Sequence, residues 1–155
     1  MAERLNYAKA FPEGIHALLN LGRVIAAGGL ERSLLELVKT RASQLNGCAY
    51  CIDMHTKDAR EGGETEQRLY ALSAWRETPF FTPRERAALA WTEALTSIQQ
   101  GHASDDAYEE VRPAFDEAEL VQLTLAIGYI NVWNRIAIGF RVEPGTYQPA
   151  AHNTA

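Results

Sequence analysis

The stretch over residues 120–138 constrains this chain more than any other. Leu120, Val121, Leu123, Leu125, Ile127, Ile130, Trp133, Ile136 and Ile138 leave it apolar on nearly every side of a helix. It is nearly long enough to span a bilayer, but it carries Gln122, Asn131, Asn134 and Arg135. An arginine in mid-span is costly in lipid, so the stretch reads as a buried helix. A domain of 155 residues cannot easily wrap one helix on all sides. The helix is therefore expected either at the centre of a bundle or partly covered by another subunit, and the second reading is preferred.

The rest of the chain is punctuated as helices. There is no sustained period-two alternation, and β-branched residues are scattered. Pro12 suits a first helical turn, Ile15, Leu18, Leu19 and Ile25 follow on one face, and Gly28–Gly29 is the stop. A second helix is expected over residues 31–45, broken by Asn46–Gly47, and a third from Cys48 to Gly62–Gly63. A fourth covers residues 64–76. Thr82-Pro83-Arg84-Glu85 is a capping box with proline at the first helical position. Ser104 can cap a short helix that ends around Pro113. Asp116 with Glu119 resembles a second capping box, opening the apolar helix that runs to Phe140. The expectation is an all-α, single-domain bundle of about six or seven helices over residues 1–143, with residues 144–155 as a tail.

Charge narrows the partners. The net charge is −5 and no Lys/Arg cluster occurs, so neither nucleic acid nor an anionic membrane surface is expected. The first residues lack the apolar run of a secretory signal, which makes a cytoplasmic protein the expectation. In a reducing compartment two closely spaced cysteines suggest redox or metal chemistry rather than a structural staple.

Those cysteines sit in Cys48-Ala-Tyr-Cys51, with His55 four residues further on. At 100° per residue, Cys48, Cys51, Ile52, His55 and Ala59 share one arc of about 100°. The two sulfurs can meet, and the imidazole lies one turn beyond the second. A thiol must become thiolate to attack a peroxide or a disulfide. A helix N-terminus would favour Cys48 and His55 would favour Cys51, so spacing alone leaves the attacking sulfur open. The plainest alternative is two small buried hydrophobes. Zinc is weaker, because C-x₂-C-x₃-H supplies three ligands where structural zinc takes four. A c-type haem site would need histidine directly after Cys51, and Ile52 stands there. His16, His102 and His152 read as ordinary residues, and Met54, Trp75, Trp91 and Trp133 as core.

The run over residues 36–59 resembles the core of the alkylhydroperoxidase AhpD-like family, within the carboxymuconolactone decarboxylase superfamily. The shared pattern is Glu36, a C-x-x-C beginning twelve residues later, and His55. Flanking residues 68–79 and 130–135 are similar to single-domain members as well. The resemblance implies an all-helical subunit in trimers or hexamers, with no metal and no organic cofactor. It implies Cys51 as peroxidatic thiol, Cys48 as resolving thiol, His55 as base and Glu36 as the end of a proton relay. The substrate would be a small hydroperoxide and the donor a dithiol or protein reductant. Helical spacing gives Glu36 no support of its own. It lies opposite Leu34 and Val38, beside Lys39, Thr40 and Ser43, and so reads as solvent-facing. One position departs from the family: Tyr50 stands where well-studied members have histidine. Tyrosine donates a hydrogen bond but is no base near neutral pH, so Tyr50 reads as a packing residue.

Three functions follow. The first is a thiol-dependent peroxidase. The second is a carboxymuconolactone decarboxylase-type enzyme, whose reaction has no use for a dithiol. The third is a non-catalytic oligomer whose cysteines report oxidation.

Overall fold

The computed structural model describes residues 2–149. Met1 and residues 150–155, His152 among them, lie outside the described residues. Those described are α-helical, with no strand among them: α1 (Tyr7–Ala10), α2 (Pro12–Ala26), α3 (Arg32–Asn46), α4 (Ala49–Glu61), α5 (Glu66–Ala71), α6 (Pro83–Thr96), α7 (Ile98–Gly101), α8 (Asp105–Val111) and α9 (Glu117–Phe140). Short 3-10 helices follow α5 at Leu72–Glu77 and α8 at Arg112–Ala114. The helices beyond the six or seven expected are α1 and α7, single turns too short to leave an apolar period in sequence.

The punctuation works as its chemistry requires. Thr82 and Glu85 satisfy each other's backbone N–H groups at the start of α6, and Asp116 and Glu119 do the same at the start of α9. At the end of α3, Gly47 takes φ 68°, a conformation that an added Cβ would strain. The Cys48 N–H then donates to the Ser43 carbonyl at 3.0 Å, closing the helix end. This turn delivers Cys48 as the N-cap of α4, with Cys51 three residues inside the helix.

α3 is the central helix and packs against α4, α6 and α9. Leu34, Leu35 and Val38 join Trp91, Leu123 and Ile127 in one apolar cluster, while Leu37 joins Leu72, Trp75 and Leu89 in a second. A third, smaller cluster of Ala42, Cys48, Cys51, Ile130 and Ala137 contains the dithiol.

α9 divides its apolar surface. Leu123, Ala126, Ile127, Ile130, Asn134 and Ala137 are buried on one face. On the opposite face Val121 is 60% exposed, Leu125 45% and Val132 43%. Within this chain, then, α9 is wrapped on one side only. Its polar residues serve the interior. Gln122 donates to the Ile25 carbonyl at the end of α2 and accepts from the Leu30 N–H. Asn134 donates to Ser43 Oγ at 3.0 Å and accepts from Asn46 at 2.8 Å, tying α9 to the end of α3 that precedes the cysteines. Among the described residues no helix is long and apolar enough to cross a membrane.

The residues after 143, expected as a tail, lie along α4 as far as residue 149. Gly145 N–H donates to Asp53 at 3.0 Å, Lys57 donates to the Tyr147 carbonyl at 3.0 Å, and the Tyr147 hydroxyl donates to Asp58 at 2.7 Å.

Candidate dithiol site

Cys48 and Cys51 are joined as a disulfide, with Cα atoms 5.4 Å apart. Cys48 Sγ also accepts from the Cys51 N–H at 3.3 Å, the position of an N-cap side chain. Both sulfur-bearing residues are almost wholly buried. They differ in what they face. Cys51 lies on a cavity of about 240 Å³, together with Tyr50, Met54, His55, Tyr129 and Trp133. Cys48 lies instead on a neighbouring hollow of about 380 Å³ bounded by Gly47, Ala49, Tyr50, Arg141 and Pro144. Tyr50, Ala137 and Val142 border both.

His55 follows Cys51 by one turn of α4 and lines the same cavity, as the spacing predicts. Its Nδ1 is 2.8 Å from Glu36 Oε2. With Nδ1 carrying the proton donated to the carboxylate, Nε2 is left as the acceptor.

Glu36 corrects the sequence reading. It is buried, with 6% of its surface exposed, where its helical position suggested solvent. Position around one helix tells only which residues share a face. The face of Glu36, Thr40 and Ser43 is covered because α4 and α9 pack against it: His55 meets Glu36 and Asn134 meets Ser43. Burial by itself pushes the Glu36 carboxyl up. The hydrogen bond and charge of His55 and the ammonium of Lys39, 2.9 Å from Oε1, outweigh it and hold the group down at about 2. Glu36 is therefore a fixed anion behind the imidazole.

Asp58 extends the cluster. Carboxylate oxygens of Glu36 and Asp58 and a ring nitrogen of His55 all lie within 4.8 Å of one another. Three such groups could hold a metal ion. Both Glu36 oxygens are already engaged, by Lys39 and His55, and Asp58 Oδ1 accepts from Tyr147. Among the described residues no buried side-chain nitrogen or oxygen lacks a partner.

The cavity walls include residues that sequence reasoning missed or placed elsewhere. Met54 and Trp133, read as core, stand on the cavity beside Cys51, and so does Tyr50, read as packing. Tyr7 arrives from α1, where its ring meets Trp133 edge-on at 6.1 Å. Tyr129 also meets Trp133, at 6.1 Å. Gly22 on α2 leaves room for the Tyr129 hydroxyl, which a Cβ there would strike. Asp58 had a signal in sequence: seven residues after Cys51, it falls on nearly the same side of the helix. Tyr147 had none. His16 and His102 are exposed and stand apart from the site, while Trp75 and Trp91 are core residues, as expected.

Comparison with known proteins places this geometry. Residues 12–94 match the Carboxymuconolactone decarboxylase family. The uncharacterised protein YdfG of Bacillus subtilis is 46% identical over 138 residues, 89% of this chain and 94% of that one. A crystal structure from Agrobacterium tumefaciens, of a protein of unknown function with a suggested AhpD antioxidant-defence role, is also 46% identical. It superposes with a TM-score of 0.90 over 94% of this chain and all of the other. An uncharacterised peroxidase-related protein from Silicibacter sp. TM1040, 21% identical, shares the fold with a TM-score of 0.77 over 87% of this chain and 72% of its own.

Proposed function

Because this chain belongs to the carboxymuconolactone decarboxylase family and has the AhpD-like fold, we propose that it is a thiol-dependent peroxidase working through the Cys48–Cys51 pair. One observation carries the reading: Cys51 and His55 face the same apolar cavity, and Glu36 holds the imidazole from behind. A decarboxylase-type reaction would leave the dithiol without a role.

In the reduced enzyme His55 Nε2 takes the Cys51 proton and the thiolate attacks the terminal oxygen of a hydroperoxide ROOH. The S–O bond forms, the O–O bond breaks, and the leaving alkoxide takes the proton from His55 to depart as ROH. The Cys48 thiol then attacks the sulfur of the sulfenic acid, water leaves, and the disulfide forms. A dithiol reductant returns two electrons and two protons by exchange through a mixed disulfide. Glu36 keeps Nε2 as the free acceptor and compensates the charge on the imidazole while it carries the proton. The cavity wall of Tyr7, Met54, Tyr129 and Trp133 suits a hydroperoxide with an apolar organic group. No organic cofactor or metal enters this cycle. The exposed stripe of Val121, Leu125 and Val132 supports self-association into a homo-oligomer, trimeric or hexameric.

The test is consumption of tert-butyl hydroperoxide with excess dithiol by the wild type and Cys51→Ser. Turnover that the substitution removes is expected. Equal consumption by both proteins, or none by either, overturns the proposal.

A further inference from the structure

Residues 142–147, which follow α9, are fastened to α4. From Val142, whose N–H closes onto the Ala137 carbonyl at 3.0 Å, it turns back across α4. Gly145 is fixed to Asp53, Lys57 bridges Asp53 and the Tyr147 carbonyl, and Tyr147 reaches Asp58. The Tyr147 ring is only partly exposed. Burial, the Asp58 hydrogen bond and the charges of Asp58 and Glu36 all push its phenol up, so it stays a donor through the neutral range. Through Asp58, which lies within 4.8 Å of Glu36 and His55, the strap is tied to the buried cluster.

Asp58 is the reason this matters. Its carboxylate lies beside both Glu36 and His55. Two carboxylates so close repel each other, and an untethered Asp58 would turn to solvent or compete with Glu36 for the ring proton. The Tyr147 hydroxyl donates to Asp58 Oδ1 at 2.7 Å and holds the carboxylate in place.

We propose that Asp58 and Tyr147 are positioning residues of the dithiol site: the strap pins a second carboxylate beside His55, which favours the positive charge the imidazole acquires on taking the Cys51 proton. The charged and titratable groups around His55 are then Glu36 and Lys39 from α3, Asp58 from α4, Tyr147 from the strap, and the cavity tyrosines Tyr7, Tyr50 and Tyr129. Tyr147 acts through Asp58, and Asp58 acts through His55. The inference rests on the thiol reading of the site, but it concerns thiolate formation and not peroxide.

The chain has two cysteines, so Cys48→Ser leaves Cys51 as its single thiol. In that background, thiolate absorbance is titrated against pH for the parent, Tyr147→Phe, Asp58→Asn and the double substitution. Asp58→Asn is expected to raise the midpoint by about half to one unit, roughly 3–10-fold less thiolate at a pH below it. Tyr147→Phe should shift it the same way by about 2–3-fold, and the double substitution should match Asp58→Asn alone. Unmoved midpoints, additive shifts, or a change confined to the melting temperature would overturn the proposal. Peroxide consumption by the same substitutions with Cys48 restored separates the two readings. Shifted midpoints without any turnover overturn the peroxidase alone; turnover with unmoved midpoints overturns the positioning role alone.

Discussion

Two faces of α3 are equally buried by opposite means. On one, Leu34 and Val38 pack against Ile127 and Trp91, where burial needs only fitting volume. On the other, Glu36 and Ser43 are as well covered, and each is held by a partner from another helix, His55 or Asn134. The apolar face degrades by degrees as volume is lost. The polar face fails as soon as one partner goes, because a buried charge or amide left alone meets its full desolvation cost. The apolar face is accordingly expected to set stability and the polar face chemistry.

The sharpest way to break this contrast begins at the sulfur the polar face serves. Cys51→Ser should remove peroxide turnover by a factor of about 10³ or more, while Cys48→Ser should allow one oxidation per subunit without turnover, read by single-turnover mixing. Comparable steady-state rates in both would dissolve the roles assigned to the two sulfurs.

Next in size is Glu36→Gln, which keeps the shape and removes the anion. A fall of about 10²-fold in turnover is expected, since the imidazole loses its orientation and its countercharge. Leu34→Ala should do the reverse, costing about 2–5 kcal/mol of stability in denaturant melts with turnover nearly unchanged at low temperature. If Leu34→Ala silences the enzyme or Glu36→Gln only lowers its melting temperature, the two faces are not separate in function.

Acid titration is a gentler probe of the same polar face. Glu36 is held below its ordinary value of 4.5, at about 2. The folded state thus binds the proton more weakly than the unfolded one. The stabilisation is complete above about 4.5 and is lost as pH falls toward 2. Acid unfolding monitored by circular dichroism should move to lower pH in Glu36→Gln than in the wild type, relative to each protein's neutral stability. Smallest in its effect on the fold is Val132→Glu on the exposed stripe of α9, expected to weaken the proposed self-association in light scattering while the chain stays folded.

Much of this was legible in the chain because it is written locally. The capping boxes at Thr82 and Asp116, the stop at Gly47 and the wheel position of His55 depend on neighbours within a turn or two, and each is found where its chemistry predicts. Glu36 was not legible. Its surroundings are composed by α4 and α9, and position on a helix says nothing of what packs there. Tyr147 lay beyond reach for the same reason, 89 residues from the carboxylate it holds. Met54 and Trp133 were legible as apolar but not as the wall of a cavity, because an aromatic looks the same in sequence whether or not space remains beside it.

By itself, then, the sequence determined a helical chain with a dithiol at a helix start and an imidazole one turn on, since periodicity, caps and short spacings are local properties of the backbone. Only the tertiary structure decided that Cys51 faces the cavity and Cys48 does not, that Glu36 is a buried anion behind His55, and that Tyr147 is held to Asp58 beside them. Those facts come from which helices meet. Burial, countercharge and empty space belong to pairs of elements and to none of them alone.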